Sequence, residues 1–185
     1  MDIVARVKAI LLTPDTEWPV IAAEPSSVED IYRNYLVYIA AVPAVAGLIG
    51  SLISGRSIIA SLLAAILGFV LGLVGVYVLA LIIDKLAPNF DGKSNFLSAF
   101  KLSAYSATAG WLAGIFAIIP ALHLLSIVGL YSLYLLYTGL PVLMKSPKEK
   151  AMTYTIVIIV AAVVLYLIIG ALVGLLIGGL LVASV

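Results

Sequence analysis

Cysteine is absent from this chain, which removes disulfides, zinc–thiolate sites and thiol catalysis together. Histidine is reduced to His123, so a zinc site would have to be assembled almost wholly from carboxylates. Charge is also scarce: 10% of the 185 residues are Asp, Glu, Lys or Arg, against about a quarter in soluble domains. The net charge of +1 offers no electrostatic footprint for nucleic acid. No nucleophile–base pair, metal-ligand spacing or glycine-rich phosphate loop can be picked out. The reading therefore names no catalytic, metal or cofactor-binding residue and expects no enzyme.

What fills the chain instead is apolar surface. Hydrophobic residues make up 64% of it, with a mean hydropathy of +1.27. Crossing a bilayer as a helix takes about 20 mainly apolar residues, and five segments qualify: 35–53, 58–83, 99–119, 121–144 and 152–181. The predicted fold is all-α, a polytopic bundle of five transmembrane helices (residues 34–185) behind a short amphipathic segment (1–33). The second and fifth segments exceed the needed length, which predicts tilt or projecting ends. Asp2 and the shortness of the apolar run at 9–12 argue against a signal peptide.

Loop charges orient the bundle. Arg6, Lys8 and Arg33 precede the first span; Lys85, Lys93 and Lys101 lie between the second and third; Lys145, Lys148 and Lys150 lie between the fourth and fifth. The other side carries Arg56 alone. Positive loops stay in the cytoplasm, which predicts an inside N-terminus and an outside C-terminus. In the N-terminal segment Ile3, Val4, Val7, Ile10 and Leu11 suggest an interfacial helix with Arg6 off its apolar face. Thr13-Pro14-Asp15 breaks it, and Trp18 is expected at headgroup depth. Ser26 and Ser27 precede Glu29 and Asp30 at capping-box spacing, so the first membrane helix should start near Val28.

Small residues recur at Gly68, Gly72 and Gly75, at Gly110 and Gly114, and at Gly170, Gly174 and Gly178. Such stripes let helices approach closely in lipid, either within one chain or between copies in a homo-oligomer. Pro43 should bend the first span, and Pro120 should turn the third and fourth into antiparallel neighbours. Asp84 is expected at the inner end of the second span within reach of water, and His123 at the outer turn. The lack of an ionisable group at mid-depth argues against a coupled ion pump.

Eight of the ten tyrosines, all but Tyr131 and Tyr166, fall in the inner half under this topology, whereas an aromatic belt would occupy both interfaces. Tyr131, Tyr134 and Tyr137 spread over about 120° of helix, too wide for one seam. Ser103, Ser106, Thr108, Ser132 and Thr138 add hydroxyls at similar depth. Two accounts remain open: the hydroxyls bond between helices and to headgroups, or they line a shallow cavity open to the cytoplasm. The candidate contact face is Tyr32, Tyr105, Ser132, Tyr134 and Tyr137 with Lys145, Lys148 and Lys150, the lysines able to hold anionic headgroups. Its partners would be membrane lipids or a protein at the cytoplasmic face, not nucleic acid.

Taken in order, Pro14-x-x-x-Trp18-x-x-Ile21-x-x-Glu24, Phe90-x-Gly92, Phe100-x-x-x-Ala104-Tyr105-Ser106, Tyr131-Ser-Leu-Tyr134-Leu-Leu-Tyr137-x-Gly139-Leu140 and Pro147-x-x-Lys150-Ala151 resemble the Yip1 domain family in its compact prokaryotic branch. That resemblance implies a multi-pass protein of the prokaryotic cytoplasmic membrane, acting as a scaffold or adaptor. Eukaryotic members look like membrane-traffic proteins that bind small Rab-type GTPases and carry an Asp-Leu-Tyr-Gly-Pro motif. This chain has Asp30-Ile31-Tyr32-Arg33-Asn34 there and lacks their long soluble arm. A facilitative channel or transporter with a tyrosine-lined cavity is the alternative expectation.

Overall fold

Backbone capping sets the start of the chain. Asp2 accepts from the amides of Val4 (2.9 Å) and Ala5 (3.2 Å), satisfying two of the orphan donors that open helix α1 (Ile3–Leu12). Pro14, whose missing N–H costs nothing in a first turn, begins α2 (Pro14–Ala23). These elements belong to a computed structural model that describes residues 2–183, apart from the side chains of Pro120, His123 and residues 180–183. The expectation for His123 lies outside the described residues.

Ser27 and Asp30 form the expected capping box, and α3 starts at Val28. It continues to Ile53 through a π-helical stretch at Tyr32–Leu36, and Pro43 is carried inside it. Helix α4 (Ile58–Leu86) closes with a 3-10 turn at Ala87–Phe90. Helices α5 (Phe96–Ser106) and α6 (Thr108–Ala113) follow, then 3-10 runs at Gly114–Ile118 and Pro120–Leu130. Helices α7 (Tyr131–Leu143) and α8 (Lys148–Ala183) complete the chain. No strand occurs among the described residues.

Among the described residues four helical stretches are long and apolar enough to cross a membrane: Val28–Ile53, Ile58–Phe90, Leu124–Leu143 and Lys148–Gly179. This differs from the five expected, because the segment at 99–119 is not one helix. Its hydroxyls turn back on their own backbone, Thr108 Oγ1 to Tyr105 O at 2.7 Å and Ser106 Oγ to Ser103 O at 3.4 Å, which competes with regular helix. Gly110 and Gly114 weaken it further, and Pro120 forces Ile119 into an extended conformation. A second correction concerns the basic stretch at 145–150: Lys148 and Lys150 lie in the first turn of α8 rather than in a loop.

The broken segment still has a defined course. Phe100 packs on Tyr32, Tyr105 on Tyr35, and Thr108 bonds Tyr35. Further on, a Cβ at Gly114 would lie 2.6 Å from Pro43, and one at Gly50 only 2.0 Å from Ala117 O. Residues 100–117 thus run parallel to α3 along its length. The next segment returns antiparallel, with Gly139 against Leu102 and Ser132 beside Gly110. Helix α8 packs antiparallel to α4 through Tyr154 with Ile83 and Ile169 with Gly75.

Candidate functional site: the junction of cap and bundle

Helices α1 and α2 form a cap on one end of the bundle, and its contacts are unusually polar. Ile10, Trp18 and Ile21 are buried. Trp18 lies against Gly139, where a Cβ would sit 2.8 Å from the indole, and donates its Nε1–H to Thr138 Oγ1 at 3.1 Å. Trp18 is enclosed by protein: a buried indole needs a partner, and α7 supplies both the slot and the acceptor. Tyr131 ties the other cap helix, donating to Leu11 O at 3.0 Å.

Between cap and bundle lies a charge cluster. Arg6 is 8% exposed and ion-pairs with Glu17 and Glu24. Its guanidinium carbon stands 5.8 Å from the centroid of the Tyr105 ring, a cation–π arrangement. Lys101 on α5 is buried, and its Nζ donates to Ile21 O (2.8 Å) and Glu24 O (2.6 Å). A cation thus meets the carbonyls at the C-terminal end of α2, where the helix dipole favours it. Two cations and two carboxylates cancel, which is how charge survives burial. Placing Arg6 off the apolar face of α1 is therefore corrected: Ile3, Arg6 and Ile10 follow i, i+3, i+7 spacing, and it is Val4 that is 61% exposed.

A second junction joins the segment after α4 to that before α8. Lys93 N donates to Met144 O (2.7 Å) and Ser146 Oγ to Phe90 O (2.9 Å). Phe90 stacks on Tyr154 at 4.5 Å, and Lys150 pairs with Asp91. Gly92 is closely packed, with Met144 O 3.0 Å and Ala87 O 3.1 Å from where a Cβ would stand. Asp84, expected within reach of water, is instead buried and accepts from Ser94 Oγ at 2.7 Å.

The residues expected to make one contact face are dispersed. Tyr32 donates to Leu73 O at 2.9 Å and packs on Phe100. Tyr105 is buried under Arg6, 4.7 Å from Tyr35. Ser132 Oγ accepts from Gly110 N at 2.8 Å; since α6 restarts after the break at Ala107, this hydroxyl caps an orphan amide of the new helix from across the bundle. Tyr134 is exposed, Tyr137 half-buried, and Lys145, Lys148 and Lys150 are exposed. Ser103, Ser106, Ser132 and Tyr166 line a cavity of about 360 Å³ that does not include Tyr32, Tyr105, Tyr134 or Tyr137. Arg6, Glu17, Glu24 and Lys101 come together only in the fold, and the spacing of Arg6 with Ile3 and Ile10 is the one local signal of it. Among the described residues no cluster of His, Cys, Asp or Glu could hold a metal ion.

The Yip1 domain profile matches residues 8–171. Two curated relatives, both described as inner membrane protein YohC, come from Escherichia coli strains K12 and O6:H1. Each is 27% identical to this chain over 165 residues, covering 82% of it and 85% of the relative. No solved structure matches at significance.

Proposed function

The chain belongs to the Yip1 domain family, and from that premise we propose that it is a non-catalytic scaffold of the prokaryotic inner membrane, its cap facing the cytoplasm. The observation that carries this reading is the cap itself. Arg6, Glu17 and Glu24 turn inward, where Lys101 of α5 meets the end of α2, while Val4, Leu12 and Val20 stand 61%, 77% and 52% exposed beside the exposed Asp2, Lys8 and Asp15. A fixed platform with outward apolar side chains suits the docking of a protein partner better than chemistry. Inner membrane location follows the name of the relatives, and the inside N-terminus follows the lysine and arginine distribution. Five passes are favoured by the course of residues 100–117 beside the whole of α3.

The test is photo-crosslinking in cells from a probe at Val20 of the full chain. A discrete protein adduct lost in Leu12→Glu supports the scaffold; lipid adducts alone sink it. Transport is the second reading, favoured by the serine-lined cavity of about 360 Å³. Its hydroxyls, however, are engaged with backbone groups at Val76, Ser103 and Gly110. Solute flux in liposomes would revive it.

A further inference from the structure

At the end opposite the cap, α3 and α4 are joined by the turn at residues 54–57, and a cavity of about 500 Å³ lies between them, with Trp111 and Ile177 against it. That is within the range of about 300–1,000 Å³ typical of ligand sites. Its walls are mostly small residues, among them Ala44, Gly47, Ala64 and Gly68. Small residues in membrane helices ordinarily draw backbones together, as Gly50 and Gly114 do here. A Cβ at Gly47, Gly68 or Gly72, by contrast, would meet nothing within 4 Å. This stretch holds a groove open.

Ser51, Arg56 and Ser61 interrupt the apolar wall, and Ser51 Oγ is already engaged, donating to Leu48 O at 2.9 Å. Arg56 lines the cavity and is exposed; every other lysine and arginine belongs to the cap or to the capped end of the bundle. Ser61 also lines it, is 5% exposed, and its buried Oγ has no hydrogen-bond partner. A buried hydroxyl without a partner is destabilising and uncommon, so an acceptor is owed to it. Ser61 lies one helical turn deeper than the turn bearing Arg56, about 5 Å. A similar interval separates the phosphate from the ester carbonyls in a glycerophospholipid.

We propose that this cavity binds an anionic glycerophospholipid. Arg56 holds the phosphate, Ser61 Oγ–H donates to an ester carbonyl oxygen, and one acyl chain lies along the alanine and glycine wall. The site is distinct from the cap and does not depend on its partners.

Trp111 makes binding measurable, because the other tryptophan, Trp18, is fully buried beneath the cap and gives a constant background that Trp111→Phe isolates. The full chain is placed in phosphatidylcholine vesicles, and brominated-acyl phosphatidylglycerol or brominated phosphatidylcholine is titrated in. Half-quenching is expected at a mole fraction about fivefold lower for the anionic lipid, the effect of one cation near the headgroups. Arg56→Gln should remove the difference. Gly68→Leu, at a position with room for the side chain, should also remove it by filling the groove while Arg56 stays in place. An ether-linked phosphatidylglycerol, lacking ester carbonyls, should bind about fivefold more weakly, and Ser61→Ala should abolish that penalty.

Equal quenching by both lipids would overturn the proposal, as would a preference that survives Gly68→Leu, since Arg56 would then act only as a surface charge. No quenching, with a disulfide forming between copies carrying Gly72→Cys, would mean a second copy fills the groove, and that too would overturn it.

Discussion

Replacing Arg6 by methionine keeps most of the side-chain volume but leaves Glu17 and Glu24 facing a buried site without their shared cation. Removing one partner of a buried ion pair costs about 3–5 kcal/mol. The low end applies here, because Glu24 is 33% exposed and water screens what remains of its charge. A loss of about 3 kcal/mol from the docked state raises the undocked population about 100-fold. The chain contains no cysteine, so Ile21→Cys introduces a single thiol at a position 1% exposed under the cap. When closing is faster than labelling, the rate of maleimide modification tracks the open population. In membranes, Arg6→Met in the Ile21→Cys background should label about 100-fold faster than that background alone. Adding Glu17→Gln should recover most of the protection, because Lys101 and Glu24 are then left to cancel one another across the junction. An unchanged rate in Arg6→Met, or a variant with the added Glu17→Gln that labels as fast as Arg6→Met without it, would refute the reasoning.

Other outcomes follow from single contacts. Ser132→Ala deprives the Gly110 amide of its acceptor and should lower stability by about 1–2 kcal/mol, seen as a lower midpoint in thermal unfolding in detergent. Gly139→Ala drives a methyl within 2.9 Å of Trp18 and 2.6 Å of Leu102 and should cost about 1–3 kcal/mol. Gly170→Ala, which meets nothing within 4 Å, should leave the same midpoint unchanged or slightly raised, since alanine favours helix. Lys150→Gln breaks an ion pair whose members are 46% and 59% exposed; a shift beyond about 1 kcal/mol would mean that solvent does not screen the pair as argued.

What could be read from the sequence was decided by short-range rules, and what could not was decided by the identity of the neighbour. Ser27 with Asp30 announces the start of α3 because a capping box needs only residues three apart. Apolar length reveals α3, α4 and α8 because the bilayer imposes it on any spanning helix. The break after Ser106 was invisible to that criterion: hydropathy counts serine, threonine and glycine as tolerable, whereas the backbone is lost through hydroxyls that bond locally and is then repaired by Ser132 from a distant segment. The same asymmetry explains the candidate site. Arg6 and Trp18 have the look of interfacial anchors in a membrane protein, and only a partner such as Glu24 or Gly139 turns each into a buried contact. The tyrosines invert the case. Their clustering towards one end is an expectation of the charge pattern, and Tyr32, Tyr35 and Tyr105 each spend their surface on a different element, on Leu73, Thr108 and Arg6. A polar group enclosed in a membrane bundle must find its partner inside the protein, and a phenol, apolar along the ring and able to donate at the tip, supplies one without adding charge.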